Sequence, residues 1–158
     1  MPTSFEVVTL VHAPPGLVFD TSLSVEAHTT SMAASRERAV AGVTSGRLGA
    51  DDQVTWQARH FGLPWRLTSV ISVCERPGYF VDEQVAGPFR HWRHAHHFVL
   101  APDGQSTIMR DVVEFAAPAG PLGAAVEALV LRRYMTRLIL ARNAHLKRTT
   151  EAAARSAE

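Results

Sequence analysis

This chain of 158 residues has one cysteine, two tyrosines and almost no net charge. The lone Cys74 excludes an internal disulfide, and its place beside Val70, Ile71 and Val73 in an alternating apolar stretch fits a small buried side chain rather than a reactive thiol. With 16 basic and 15 acidic residues, the formal charge of +1 supplies no field to draw the chain onto nucleic acid or anionic lipid. No stretch reaches the roughly 18 apolar residues of a membrane span, and Met1 to Leu10 lacks the basic and apolar blocks of an export signal. A cytoplasmic protein is expected, with no nucleic-acid partner and no membrane span; monomer and homodimer both stay open. The 46% hydrophobic content suffices for the core of one domain, placed at residues 1–150. A polar, alanine-rich tail over 151–158 is expected to fray from the end of a helix.

What is present is strand alternation followed by one long helical pattern. Phe5, Val7, Thr9 and Val11 mark a first strand over Ser4 to His12, stopped by Pro14-Pro15-Gly16. Two short helices follow, Leu17 to Leu23 and Ser24 to Ala34, the second capped by Ser24. Six strands in meander are then expected: Arg38 to Leu48, Asp52 to Phe61, Trp65 to Glu75, Tyr79 to Val85, Trp92 to Leu100 and Thr107 to Phe115. Gly62-Leu63-Pro64, Gly87-Pro88-Phe89 and Pro102-Asp103-Gly104-Gln105 are among the turns between them. From Leu122 to about Ala154 the apolar residues Leu122, Val126, Val130, Tyr134 and Leu138 recur at i+4, widened by Leu131, Met135 and Ile139. That stripe is expected in the mouth of the sheet, with Arg132, Arg133, Arg137 and Arg142 on a solvated flank. The fold class is α+β: a curved antiparallel sheet of seven strands wrapped on one long C-terminal helix.

Chemistry concentrates in Trp92-Arg93-His94-Ala95-His96-His97-Phe98, where a period of two puts Trp92, His94, His96 and Phe98 on one face. If Asp103-Gly104 is the centre of a hairpin loop, Phe98 opposes Met109 and His96 opposes Asp111, with side-chain carbons about 5 Å apart. Such a pair serves as a structural latch, as a polar anchor for a ligand, or as an acid and base, and all three readings are open. Asp82 and Gln84 share a face with Phe80; a three-residue loop at Gly87-Pro88-Phe89 would set Asp82 opposite His94, and a four-residue loop would not. His94 and His96 could both reach one metal ion, with His60 or His91 recruited. With no second cysteine, no HExxH and no acidic cluster, neither a metal nor a cofactor is expected. The aromatic residues serve either as core or as pocket lining.

The string Phe80-x-Asp82-x-Gln84, Gly87-Pro88-Phe89, Trp92-x-His94-x-His96-x-Phe98, Thr107-x-x-Arg110-Asp111-Val112 and Pro118-x-Gly120-x-Leu122-Gly123, in this order of elements, resembles the SRPBCC or START-like superfamily. Within it the nearest likeness is to small bacterial proteins related to polyketide cyclases and dehydrases. The resemblance spans Phe5 to about Leu146 and implies a helix-grip fold, in which the sheet and two short helices grip the long helix around a hydrophobic cavity. It implies no single reaction, since the superfamily holds carriers, receptors, cyclases and chaperone activators. The expectation is therefore a binding protein for a small hydrophobic or amphipathic, lipid- or polyketide-like molecule. A cyclase or dehydrase moving a proton with His96 and Asp111, and a protein-interaction module, are the alternatives. The residues expected at the ligand are Trp56, Phe80, Asp82, Gln84, Trp92, His94, His96, Phe98, Met109, Asp111 and Tyr134.

Overall fold

The computed structural model describes residues 2–118 and 120–157; Met1, Ala119 and Glu158 lie outside them. Strand β1 (Thr3–Val11) buries Phe5, Val7 and Val11 and turns Glu6, Val8 and Leu10 outward, as alternation requires. Helices α1 (Pro15–Ser22) and α2 (Val25–Ser31) follow, and the Ser24 hydroxyl caps α2 by accepting from the Ala27 N–H at 3.1 Å. Strands β2 (Arg38–Gly42), β3 (Gln53–His60), β4 (Leu63–Glu75), β5 (Tyr79–Ala86), β6 (His91–Leu100) and β7 (Thr107–Ala116) form the meander. The chain then runs through α3 (Gly120–Val126), a π turn (Glu127–Leu131) and α4 (Arg132–Ser156). The seven strands make one antiparallel sheet in the order β1-β7-β6-β5-β4-β3-β2, so β1 closes on the last strand of the meander.

Turn chemistry sets the register where it matters. The Asp103 carboxylate accepts from the backbone N–H groups of Gln105 and Ser106, which pins the β6-β7 hairpin with Leu100 opposite Thr107 and His96 opposite Asp111. Between β5 and β6, Asp82 lies opposite His94, the facing that a three-residue loop gives. Gln84 holds that loop, its Nε2 donating to the Phe89 carbonyl at 2.8 Å and its Oε1 accepting from the Phe89 N–H at 3.3 Å. The β3-β4 turn falls one residue earlier than expected, at Phe61-Gly62, both with positive φ as a tight hairpin needs. Leu63 and Pro64 consequently belong to β4.

Three expectations about extent and face are corrected. Strand β2 stops at Gly42, and only an isolated bridge between Ser24 and Arg47 continues its line toward Leu48. The long helix is interrupted: a π turn holds an extra residue, which rotates the sequence that follows by about 100° and breaks the i+4 stripe. Leu122 and Val126 ahead of the turn and Val130 within it are exposed, while α4 beyond it buries Ile139, Arg142, Asn143, Leu146 and Thr150. Arg142 is thus no flanking residue; it is only 4% exposed. Helix α4 runs on to Ser156, where Glu151 accepts from the His12 N–H at 2.9 Å and Ala154 packs against the core. Among the described residues no helix is long and apolar enough to cross a membrane.

Apolar packing divides into two clusters. Phe19 of α1 makes edge contacts at 5.5 Å with both Phe80 and Phe98, and Met109 and Val11 complete that group. Phe5, Trp92, Val113, Phe115 and Ile139 make the second. Phe80 and Leu48 from the first cluster and Trp92 and Ile139 from the second border one cavity.

Candidate functional site

Beneath α4 the concave face of the sheet leaves a cavity of about 270 Å³, just below the usual size of small-molecule sites. Its wall is mainly apolar, with Leu67, Ile71, Phe80, Trp92, Met135 and Ile139 prominent. Seven of the eleven residues expected at a ligand reach this wall: Trp56, Phe80, Asp82, Trp92, His94, His96 and Tyr134. The other four are placed differently. Gln84 is occupied with the Phe89 loop, Phe98 and Met109 are core, and Asp111 lies behind the histidines with no exposed surface.

The polar part of the wall is built from β5, β6, β7 and α4. Register sets Asp82 opposite His94 and His96 opposite Asp111, yet the hydrogen bonds run diagonally. Asp111 Oδ1 accepts from His94 Nε2 at 2.9 Å, and Asp82 Oδ2 accepts from His96 Nε2 at 3.1 Å. Diagonal neighbours lie within reach of a side chain as long as histidine. The two imidazoles stack at 3.8 Å, and Phe80 stacks on the outer face of His96 at 4.0 Å, so neither ring is free to turn. Asp111 also accepts from the Asn143 amide at 2.7 Å and lies 3.6 Å from the Arg142 guanidinium. Asn143 reaches on to the Thr9 hydroxyl of β1 at 3.2 Å. The Trp92 indole N–H donates to Asp82 Oδ1 at 3.4 Å.

His96 Nδ1 lies 3.0 Å from Asp111 Oδ1 as an ion contact, and this buried nitrogen has no hydrogen-bond partner. The Nδ1 atom of His94 faces Asp82 Oδ2 at 3.8 Å. Asp82, His94 and His96 each present a donor atom within 4.8 Å of the others, the spacing of a metal-binding group. His60 and His91, the extra ligands considered from the sequence, are engaged elsewhere. His60 Nδ1 hydrogen-bonds the Tyr134 hydroxyl at 2.6 Å, and His91 faces Glu114 at 3.8 Å. The cavity has a second polar spot that the sequence did not announce. His28 pairs with Glu37 at 2.6 Å and lies against the Trp56 ring at 4.3 Å.

No protein-family model and no curated protein matches the chain. Solved structures do. A protein of Thermus thermophilus is 17% identical, covers 96% of this chain and 99% of its own, and superposes with a TM-score of 0.78. A START superfamily protein from Mycobacterium smegmatis is 14% identical over 98% of this chain and 99% of its own, with a TM-score of 0.64. An aromatase/cyclase of a Streptomyces species is 16% identical over 97% of this chain and 98% of its own, with a TM-score of 0.65. The chain has the START-like helix-grip fold. At these identities the likeness is one of fold alone, and the fold does not by itself assign a function.

Electrostatics of this helix-grip interior follow from burial. Burial, and then the neighbouring His96, push His94 down to about 4 against the pull of Asp111 and Asp82. Burial alone would raise Asp111, but the hydrogen bond from His94 and the close approach and charge of both His94 and His96 outweigh burial and hold it well below the usual carboxylate range. The unfolded chain therefore binds protons that the folded one refuses. For His94 the difference opens as pH drops below the ordinary 6.5 and is complete near 4; for Asp111 it opens near 3.8 and below. Urea denaturation in chelator-treated buffer should show stability falling steadily from pH 7 to pH 4. A His94→Gln variant should lose much of that slope, and an equal slope in the variant would refute the assignment.

Proposed function

We propose that the protein binds a small hydrophobic or amphipathic molecule in the cavity under α4. The observation that carries this reading is a mainly apolar cavity of about 270 Å³ that carries a few placed polar groups, the Asp82, His94 and His96 cluster foremost. Apolar burial supplies affinity and a few placed polar groups supply orientation, the usual division of labour in such sites. Asp82, His94 and Arg142 line the cavity and are the groups that would meet a polar head. The fold shared with a START superfamily protein supports the same reading.

Native mass spectrometry of the purified protein beside its denatured mass should reveal a carried small molecule, and an environment-sensitive apolar dye should bind saturably at one site. A Met135→Trp variant, which fills the cavity from α4, should weaken dye binding at least tenfold while leaving the circular dichroism spectrum intact. A bare mass together with no saturable dye binding would overturn the proposal.

A second reading has its own support. His96 Nε2 and Asp82 Oδ2 stand 3.1 Å apart at the wall, a geometry suited to moving a proton on a bound molecule, as in a cyclase or dehydrase. In that reading Asp111, which does not reach the cavity, is a positioning residue rather than a proton carrier.

A further inference from the structure

His94 and His96 each turn one ring nitrogen to Asp111 behind them and the other to Asp82 at the cavity wall. His94 Nε2 and His96 Nδ1 lie 2.9 Å and 3.0 Å from the same Asp111 oxygen, while His94 Nδ1 and His96 Nε2 lie 3.8 Å and 3.1 Å from Asp82 Oδ2. Metal-binding histidines commonly show this arrangement, since a carboxylate behind each ring fixes its orientation and strengthens the nitrogen in front. Two donors that each stand about 2.0–2.2 Å from one ion are themselves roughly 3–3.5 Å apart. The separations from Asp82 already fall close to that interval. As a latch alone the cluster is poorly satisfied: a His96 that donates Nε2–H to Asp82 leaves Nδ1 without a hydrogen bond against a carboxylate. An ion on Nε2 would place the ring proton on Nδ1, where the Asp111 carboxylate charge lies 3.0 Å away.

We propose that Asp82, His94 and His96 bind a divalent first-row transition ion at the cavity wall. Two imidazoles and one carboxylate favour zinc or ferrous iron over magnesium or calcium, which prefer all-oxygen sites. His94 Nδ1, His96 Nε2 and an Asp82 oxygen are the ligand atoms. Asp111 carries the rings from behind and is itself fixed by Asn143 at 2.7 Å. Three ligands leave coordination positions open, and since all three residues line the cavity, those positions face it. A cavity ligand bearing an oxygen or nitrogen donor could complete the ion's coordination. The inference goes beyond the binding reading and is tested without any organic ligand, so either can fail alone.

The test is calorimetric titration of the chelator-treated full chain with zinc, and separately with cobalt(II), followed in the visible spectrum. One ion per chain and cobalt d–d bands are expected. Asp82→Asn should lower the affinity by more than the roughly 10–100-fold expected for Asp111→Asn, an effect of losing the carboxylate behind the rings. His145→Ala, on α4 and outside the cluster, should leave the affinity unchanged. Because Asp82→Asn could impair folding, nitrogen-15 spectra of the unaltered protein give an independent reading: zinc should shift His94 Nδ1 and His96 Nε2 selectively. Absence of saturable binding, an Asp82→Asn affinity equal to that of the starting protein, or shifts confined to other histidines would each overturn the proposal.

Discussion

Replacing Asp111 by alanine is expected to destabilise the protein by about 3–5 kcal/mol, the range for removing one member of a buried ionic network. Asp111 has no exposed surface, and its two oxygens hold the His94 ring nitrogen and the Asn143 amide directly, with Arg142 at 3.6 Å. Alanine leaves the buried His94 N–H without its acceptor, strips Asn143 of the shorter of its two amide contacts and removes the carboxylate facing Arg142, so desolvation costs are no longer offset. For a domain of this size each kcal/mol lowers the melting temperature by roughly 2–4 °C, so a drop of about 10 °C is expected. Asp111→Asn should cost less, because it keeps the shape and one acceptor, yet it sets an amide against the His94 N–H. Urea denaturation of both variants decides the matter. A loss below about 1 kcal/mol in Asp111→Ala would show that the surrounding donors find other partners.

Phe80→Ala should be nearly as damaging for a different reason. The ring is 2% exposed, meets Phe19 edge-on at 5.5 Å, lies 5.8 Å from Phe98 and stacks on His96 at 4.0 Å. Phenylalanine-to-alanine changes in cores cost about 3–5 kcal/mol through lost burial and the void left behind. Here the void opens into an existing cavity that Phe80 already lines, so the lower end, about 3 kcal/mol, is expected. The same change has a functional signature that a purely structural residue lacks. The enlarged cavity should accept a bulkier apolar dye than the unaltered protein does, and His96, with its stacking partner gone, should show a second ring conformation by NMR. Equal dye selectivity in the two proteins would mean that Phe80 does not bound the ligand space.

Strand alternation and turn residues made the seven-stranded sheet legible, because each is a local property of a few neighbouring residues. The facing of His96 and Asp111 followed from counting outward from Asp103-Gly104, and the register bears it out. The same count could not say which oxygen each ring would choose. Backbone pairing fixes the Cβ atoms, whereas imidazoles two residues apart can each reach a diagonal neighbour, and both do so here. Arg142 and Asn143 were missed because polar residues on a long helix are ordinarily solvent-facing. The signal available was their position between Ile139 and Leu146, one turn from each on the same face, which makes a buried polar patch on the gripping side. The π turn left no trace in the apolar periodicity, which reads on through Val126 and Val130 as though the helix were regular.

The closure of β1 onto β7, with Asn143 of α4 linking Asp111 to Thr9, also implies an expected order of events in folding. The meander from β2 to β7 consists of hairpins between consecutive strands, contacts that form at small entropic cost as the chain emerges. The β1-β7 ladder and the docking of α4 join segments from opposite ends of the sequence, and such distant contacts are the slow ones. A nascent chain released as far as β7 could hold His94 and His96 beside Asp82 and Asp111, but not the Asn143 and Arg142 that fix the aspartate. The polar wall of the cavity is thus expected to be finished only once α4 docks, later than the hairpins that carry its histidines.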